Sequence, residues 1–182
     1  LDNLLDGGLY AGLYIIGAIS SLGKTTFCLN VADNIAQAGH DVLIFSLEMA
    51  RNELIAKSVS RITLIKDLEE NGSTAHAKTT RGILTGTRYA DYSQTERELI
   101  QRSIASYAEY AKNIYITEGM GNVGVEEIRE KVQKHIKLTG KAPVVLIDYL
   151  QIIAPADLRA TDKQNTDKAV LELKRLSRDY SI

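Results

Sequence analysis

The sequence predicts an α/β fold, a mostly parallel sheet flanked by helices, and three observations carry that reading. The apolar runs "LYIIGA" (13–18), "DVLIFSL" (41–47) and "PVVLIDYLQII" (143–153) do not alternate apolar with polar residues. Strands buried on both faces of a parallel sheet have this character. Helical patterns separate the runs, so strand and helix alternate along the chain. Two of those patterns stop at glycines, Gly39 and Gly140, the residue type that closes a helix most easily.

Taken in order, "TTFCLNVADNIAQAG" (25–39) carries Phe27, Val31, Ile35 and Ala38 near helical spacing. "NIYITEG" (113–119) alternates more than the other runs and predicts a fourth strand, nearer an edge. "VEEIREKVQKHIKLTG" (125–140) places Val125, Ile128, Val132 and Ile136 on one helical face. Between these, residues 66–112 read as a helical insertion with a turn at Asn71-Gly72. Its main helix opens with Ser93 and Glu96 at capping-box spacing and carries a stripe of Leu99, Ile100, Ile104, Tyr107 and Ala111.

With 182 residues, 45% apolar and 25% charged, the chain predicts a single domain, 1–182. A net charge of −1 excludes a uniformly basic surface, so any nucleic-acid contact must use a local patch. The single cysteine, Cys28, permits no intrachain disulfide and fits a reducing compartment. No run approaches the roughly 18 apolar residues of a membrane span and no leader pattern is present, so the expected location is cytoplasmic, without membrane contact.

"GAISSLGKTT" (17–26) follows the first apolar run and opens a helix. A phosphate cradle needs backbone N–H groups converging at a helix N-terminus, a lysine for the outer phosphates and a hydroxyl for magnesium. The spacing is that of a P-loop, except that Ala18 stands where the first glycine usually does. The expected nucleotide-binding residues are Ser20, Ser21, Leu22, Gly23, Lys24, Thr25 and Thr26, with ATP and Mg2+ as the ligands. A P-loop nucleotidase also needs a carboxylate on the metal, and "VVLID" ends at Asp148 in the form of a Walker B strand. Something must orient the attacking water, and "FSLEM" puts Glu48 just past the second apolar run. Carboxyl ends of parallel strands lie on one side of a sheet, so Lys24, Glu48 and Asp148 are expected to converge.

One rival motif stands in the chain. "GMGNVG" (119–124) satisfies the G-x-G-x-x-G pattern of a dinucleotide site, between a candidate strand and a helix. The pattern is short, and the acid that would serve it, Asp148, is better used by magnesium. His40, His76 and His135 are scattered without ligand spacing, Cys28 has no catalytic partner nearby, and Glu126, Glu127, Arg129, Glu130 and Lys131 read as a solvated helix face.

"GGLYAGLYIIGAISSLGKTTFCLNVADNIA", "VLIFSLEMARNELIAKSVSRIT" and "VVLIDYLQII" resemble the ATPase domain of DnaB-type replicative DNA helicases, over residues 1–65 and 113–182. In that family the loop often lacks its leading glycine. The resemblance implies a RecA-like core and an ATP-hydrolysing motor that moves on single-stranded DNA as a homo-oligomeric ring, expected to be a hexamer. It implies that Lys24 contacts the phosphates, that Thr25 and Asp148 hold magnesium, and that Glu48 is the catalytic base or positions the water. Gln151 would lie close to the site. The segment 154–168 corresponds to a loop facing the ring channel, where Arg159 and Lys163 would meet DNA phosphates and Gln164 or Asn165 would add hydrogen bonds. The family pattern continues past "RLSRDYSI" with a strand that carries a polar sensor and lies between the Walker A and Walker B strands. A fragment, truncated before that sensor strand, is therefore expected. The alternatives are another RecA-like ATPase of recombination or clock type, a P-loop small-molecule kinase, and a nonhydrolytic nucleotide-dependent module.

Overall fold

Val42–Ser46 (β1) forms the centre of a parallel sheet in the computed structural model, which describes residues 3, 5–19, 21–119, 123–155 and 157–182. It pairs with Ile114–Glu118 (β2) on one side and Val144–Asp148 (β3) on the other. The helices are Lys24–Gln37 (α1), Arg51–Asn71 (α2), Thr80–Leu84 (α3), Gly86–Ala90 (α4), Gln94–Ala111 (α5), Val125–Thr139 (α6) and Asp162–Tyr180 (α7).

All five residues of β1 are buried, which explains its unbroken apolar run. Successive side chains of a strand point to opposite faces. Val42 and Ile44 accordingly join one core with Leu29 and Ala36 of α1, Val59 of α2 and Tyr107 of α5. Leu43 and Phe45 join a second core with Ile128 and Val132 of α6 and Leu173 and Leu176 of α7. The α/β layering predicted from sequence is the one observed, and β2, the more alternating run, sits at an edge. The glycine stops hold too: Gly39 and Gly140 take φ of 91° and 71° just beyond α1 and α6. Among the described residues no helix is long and apolar enough to cross a membrane.

Residues 13–18 correct the sequence reading, because they form no strand. A strand exists only through hydrogen bonds to a neighbour, and this segment has no sheet partner among the described residues. An apolar groove of about 440 Å³ lies between it and β3, lined by Tyr14, Ile16, Phe27 and Val31 on one side and Val145 and Ile147 on the other. Phe27 is therefore 46% exposed, and the buried positions of α1 are Leu29, Ala32, Asp33 and Ala36 rather than the predicted stripe. The predicted strand 143–153 is likewise shorter, ending at Asp148 before a single 3-10 turn at Leu150–Ile152.

Residues 66–112 are packed into the first core. Helix α2 runs unbroken through Asn71, and α5 lies against it with Leu99, Ile100, Ser103, Tyr107 and Tyr110 buried. The inner face thus takes Ser103 and leaves Ile104 49% exposed. A small residue lets the helices approach, and the Ser103 hydroxyl donates to the Leu99 carbonyl at 2.7 Å, so burying it leaves no polar group unpaired. The capping box at the start of α5 is formed: Glu96 N–H donates to Ser93 Oγ, and Ser93 N–H donates to Glu96 Oε2 at 2.7 Å. Ser93→Ala should cost about 1 kcal/mol in urea unfolding. Glu96 also accepts from Lys78, and this bond first, with the Ser93 contacts, holds its carboxyl down at about 2. A depressed carboxyl contributes stability above its unfolded value of 4.5 and loses it as pH falls toward 2. Stability curves of wild type and Glu96→Gln should therefore converge in that acid window.

Candidate nucleotide site at the carboxyl edge of the sheet

The parallel register sets the three strand ends level: Ser46 pairs with both Glu118 and Asp148. The C-terminal tips of β1, β2 and β3 therefore share one edge, and α1 begins at the same edge.

The α1 N-terminus is built for an anion. Gly23 is its N-cap, with φ 90° and ψ 21°, a left-handed conformation that glycine adopts without strain. No side chain caps the first turn and no acidic residue lies in it, so its N–H groups are left for an incoming acceptor. Ser21 also takes a positive φ of 66°, and Ser21, Leu22, Gly23 and Thr26 are exposed. Ser20 lies outside the described residues.

Two charged side chains meet at this cap. Thr25 Oγ1 donates to Asp148 Oδ2 at 2.7 Å, and Lys24 Nζ lies 3.8 Å from Asp148 Oδ1. Asp148 is buried, whereas Lys24 is partly exposed. The Lys24 ammonium also stands 4.5 Å above the ring of Tyr149. It is thus held by a carboxylate and an aromatic face at the mouth of the cradle. Hydroxyl and carboxylate oxygens at this spacing are the hard donors that magnesium takes, and the described residues hold no cluster of three or more His, Cys, Asp or Glu that would make a dedicated metal cage. Magnesium keeps several waters and needs only one or two protein ligands beside phosphate oxygens, so the donor set fits.

Glu48 sits in the turn between β1 and α2 and is exposed. The residue before it, Leu47, donates its N–H to the Asp148 carbonyl at 2.9 Å, which puts this turn beside the Walker B tip. Lys24, Thr25 and Asp148 therefore meet at one edge of the sheet, and the turn that carries Glu48 lies on the same edge. Gln151 follows on the 3-10 turn and is exposed. Burial, reinforced by Asp148 and opposed by Lys24, pushes the Cys28 thiol up.

The loop before α7 divides the predicted DNA-contacting residues. Arg159 and Lys163 are exposed and form no ion pair among the described residues. Gln164 and Asn165 use their side chains inside the loop. Gln164 Oε1 accepts from Thr161 N–H at 2.9 Å in the α7 capping box. Asn165 accepts from Asp157 N–H at 3.1 Å and donates to the Asp157 carbonyl at 2.9 Å.

The dinucleotide alternative fares poorly. The α6 N-terminus is already capped by Glu127, whose carboxylate accepts the Gly124 N–H at 2.8 Å, and Glu126 adds a second negative charge. A pyrophosphate would be repelled there. Met120, Gly121 and Asn122 of the motif lie outside the described residues.

Sequence reasoning did not single out Tyr149, although it stands in the quoted "DYLQ", or Glu118, an acid at a strand tip like Asp148. The rule that picked Asp148 applies equally to Glu118.

Comparison with known proteins shows what the chain is similar to. A probable replicative DNA helicase of Trieres chinensis is 27% identical over the whole chain, which covers 36% of that protein. The replicative DNA helicase DnaB of Buchnera aphidicola subsp. Baizongia pistaciae is also 27% identical over the whole chain, which covers 35% of it. The chain thus spans about a third of the length of these curated relatives. A solved DnaB-like replicative helicase, described with its interactions with primase, superposes with a TM-score of 0.74 at 24% identity, over 90% of this chain and 36% of that one. A family model described as the DnaB-like helicase C terminal domain matches residues 1–182, so the chain belongs to that family.

Proposed function

We propose that this chain is the ATP-hydrolysing motor domain of a replicative DNA helicase, working on single-stranded DNA within a homo-oligomeric ring, a hexamer, in the cytoplasm. The observation that carries the reading is the convergence of Lys24, Thr25 and Asp148 at an uncapped helix N-terminus, with the Glu48 turn bonded to the same strand tip.

In this reading the N–H groups of the first turn of α1 bind the phosphates of ATP, and Lys24 swings from Asp148 and Tyr149 to the outer ones. Thr25 and Asp148 would hold Mg2+, which would supply charge neutralisation on the phosphate oxygens. Glu48 orients a water in line with the terminal phosphate and accepts its proton as the new P–O bond forms and the bond from that phosphorus to the bridging oxygen breaks, ADP leaving with that oxygen. Gln151 lines the site, and Arg159 and Lys163 contact DNA phosphates, a largely sequence-independent interaction.

The test is Mg2+-dependent phosphate release from ATP by the full-length protein, with and without single-stranded DNA and with no acceptor substrate. Release that rises with DNA is expected; no ATP binding, or release only with a small-molecule acceptor, overturns the reading. Asp148→Asn should raise the Mg2+ concentration needed for half-maximal rate by roughly tenfold or more, because one of two protein ligands loses its charge. An unchanged Mg2+ requirement would place the ion elsewhere.

A further inference from the structure

We propose that Glu118, at the tip of β2, is a positioning residue for Glu48; this rests on the reading of Glu48 as the group that activates water. The turn Leu47–Ala50 that carries Glu48 is held by a small set of polar ties. Leu47 N–H bonds the Asp148 carbonyl at 2.9 Å, and Gly119 N–H bonds the Ser46 carbonyl at 3.0 Å. Inside the turn, Ser46 Oγ donates to the Met49 carbonyl at 2.6 Å, and Ala50 N–H donates to Glu53 Oε2 at 3.0 Å. Where the turn enters α2, Arg51 N–H donates to Glu118 Oε1 at 2.5 Å, while the Arg51 guanidinium donates to the Ile116 carbonyl at 2.7 Å.

Glu118 differs from the other partners in kind. The ties to Asp148 and Gly119 are backbone bonds of the sheet, and those of Ser46 and Glu53 are local to the turn and first turn of α2. Glu118 supplies the side chain that reaches from another strand, across 67 residues of sequence, to the first residue of α2. A carboxylate there also meets the positive end of a 21-residue helix. The two strand tips therefore hold the Glu48 turn from both sides, Asp148 through its carbonyl and Glu118 through its carboxylate. Gly119 completes the seat: a Cβ there would press into Leu47 Cδ2, the side chain next to Glu48.

Kinetics of the full-length protein distinguish positioning from bulk stability. Glu118→Ala should lower kcat for DNA-stimulated ATP hydrolysis by roughly ten- to a hundredfold, with KM for ATP within about twofold, because misplacing a catalytic group costs rate more than binding. Glu118→Gln keeps an amide oxygen to accept the Arg51 N–H and should restore most of the rate. Adding Glu118→Ala to Glu48→Gln should cost nothing further, since a group that acts only through Glu48 has nothing left to position. A wild-type kcat in Glu118→Ala, an Ala loss not rescued by Gln, or a loss that adds to that of Glu48→Gln would each overturn the proposal. The Glu48→Gln arm alone separates the two readings. If it is inactive while Glu118→Ala is normal, only the positioning role fails; if it is fully active, Glu48 itself is not the base.

Discussion

Glu48→Gln is expected to bind ATP with wild-type affinity and to lose about 10²–10⁴-fold in turnover, the range contributed by a positioned general base. The substitution is nearly isosteric, so the water site keeps its shape. The amide can still hold a water by hydrogen bonding, but it cannot take the proton that must leave as the water attacks. Nothing else in the fold should change, because Glu48 is exposed and its turn is fixed by other groups, Ser46 and Glu118 among them. Fluorescent-nucleotide titration and steady-state phosphate release measure the two quantities separately. Lys24→Ala provides the contrast: it removes the cation that meets the phosphates, so binding and turnover should fall together. A Glu48→Gln protein that turns over at the wild-type rate would assign the base elsewhere or make the module a nonhydrolytic switch.

The features legible in the sequence are those whose physics is local. Gly39 and Gly140 close helices because a left-handed residue is needed at each stop, and both take positive φ. Ser93 and Glu96 reach each other because they are three residues apart on one helical turn. Lys24 and Thr25 are legible for a similar reason: both are fixed on the first turn of α1, and the end of the Walker B run puts Asp148 level with them. What was not legible depends on a neighbour. The run 13–18 has strand composition, yet a strand also needs a ladder, and none among the described residues reaches it. The α5 stripe is rotated to include Ser103 and exclude Ile104, because the closeness of α2 decides which side chain fits. Gln164 and Asn165 are polar types suited to DNA, but residue type does not tell whether a side chain is already committed to its own loop. Glu118 accepts a backbone N–H from a residue 67 positions away, a relation that no local pattern encodes.

Arg61→Leu is expected to destabilise the protein by about 3–5 kcal/mol at pH 7, the cost of removing one partner from a buried ion pair. Arg61 Nη2 lies 2.8 Å from Asp33 Oδ2, its other terminal nitrogen bonds Asn30, and Asp33 is fully buried. Asp33 Oδ1 is buried without a hydrogen-bond partner among the described residues. Burial pushes the Asp33 carboxyl above its ordinary value of 3.8, with Ser58 and Arg61 opposing the rise. Removing the guanidinium must raise it further. A group whose folded pKa is raised carries no penalty below its unfolded value, where it is protonated in both states, and loses stability as pH climbs through the folded value. The gap between wild type and Arg61→Leu should therefore be widest at neutral pH and narrow toward pH 4, as read from urea unfolding at both. Asp33→Leu combined with Arg61→Leu should recover most of the loss, since neither charge is then left alone. A gap below about 1 kcal/mol, or one that does not change with pH, would mean that water already screens the pair. The consequence reaches the site, because Asp33 lies on the helix that begins at Lys24 and Arg61 on the helix that follows Glu48. The pair ties α1, which begins at Lys24, to α2, which follows the Glu48 turn.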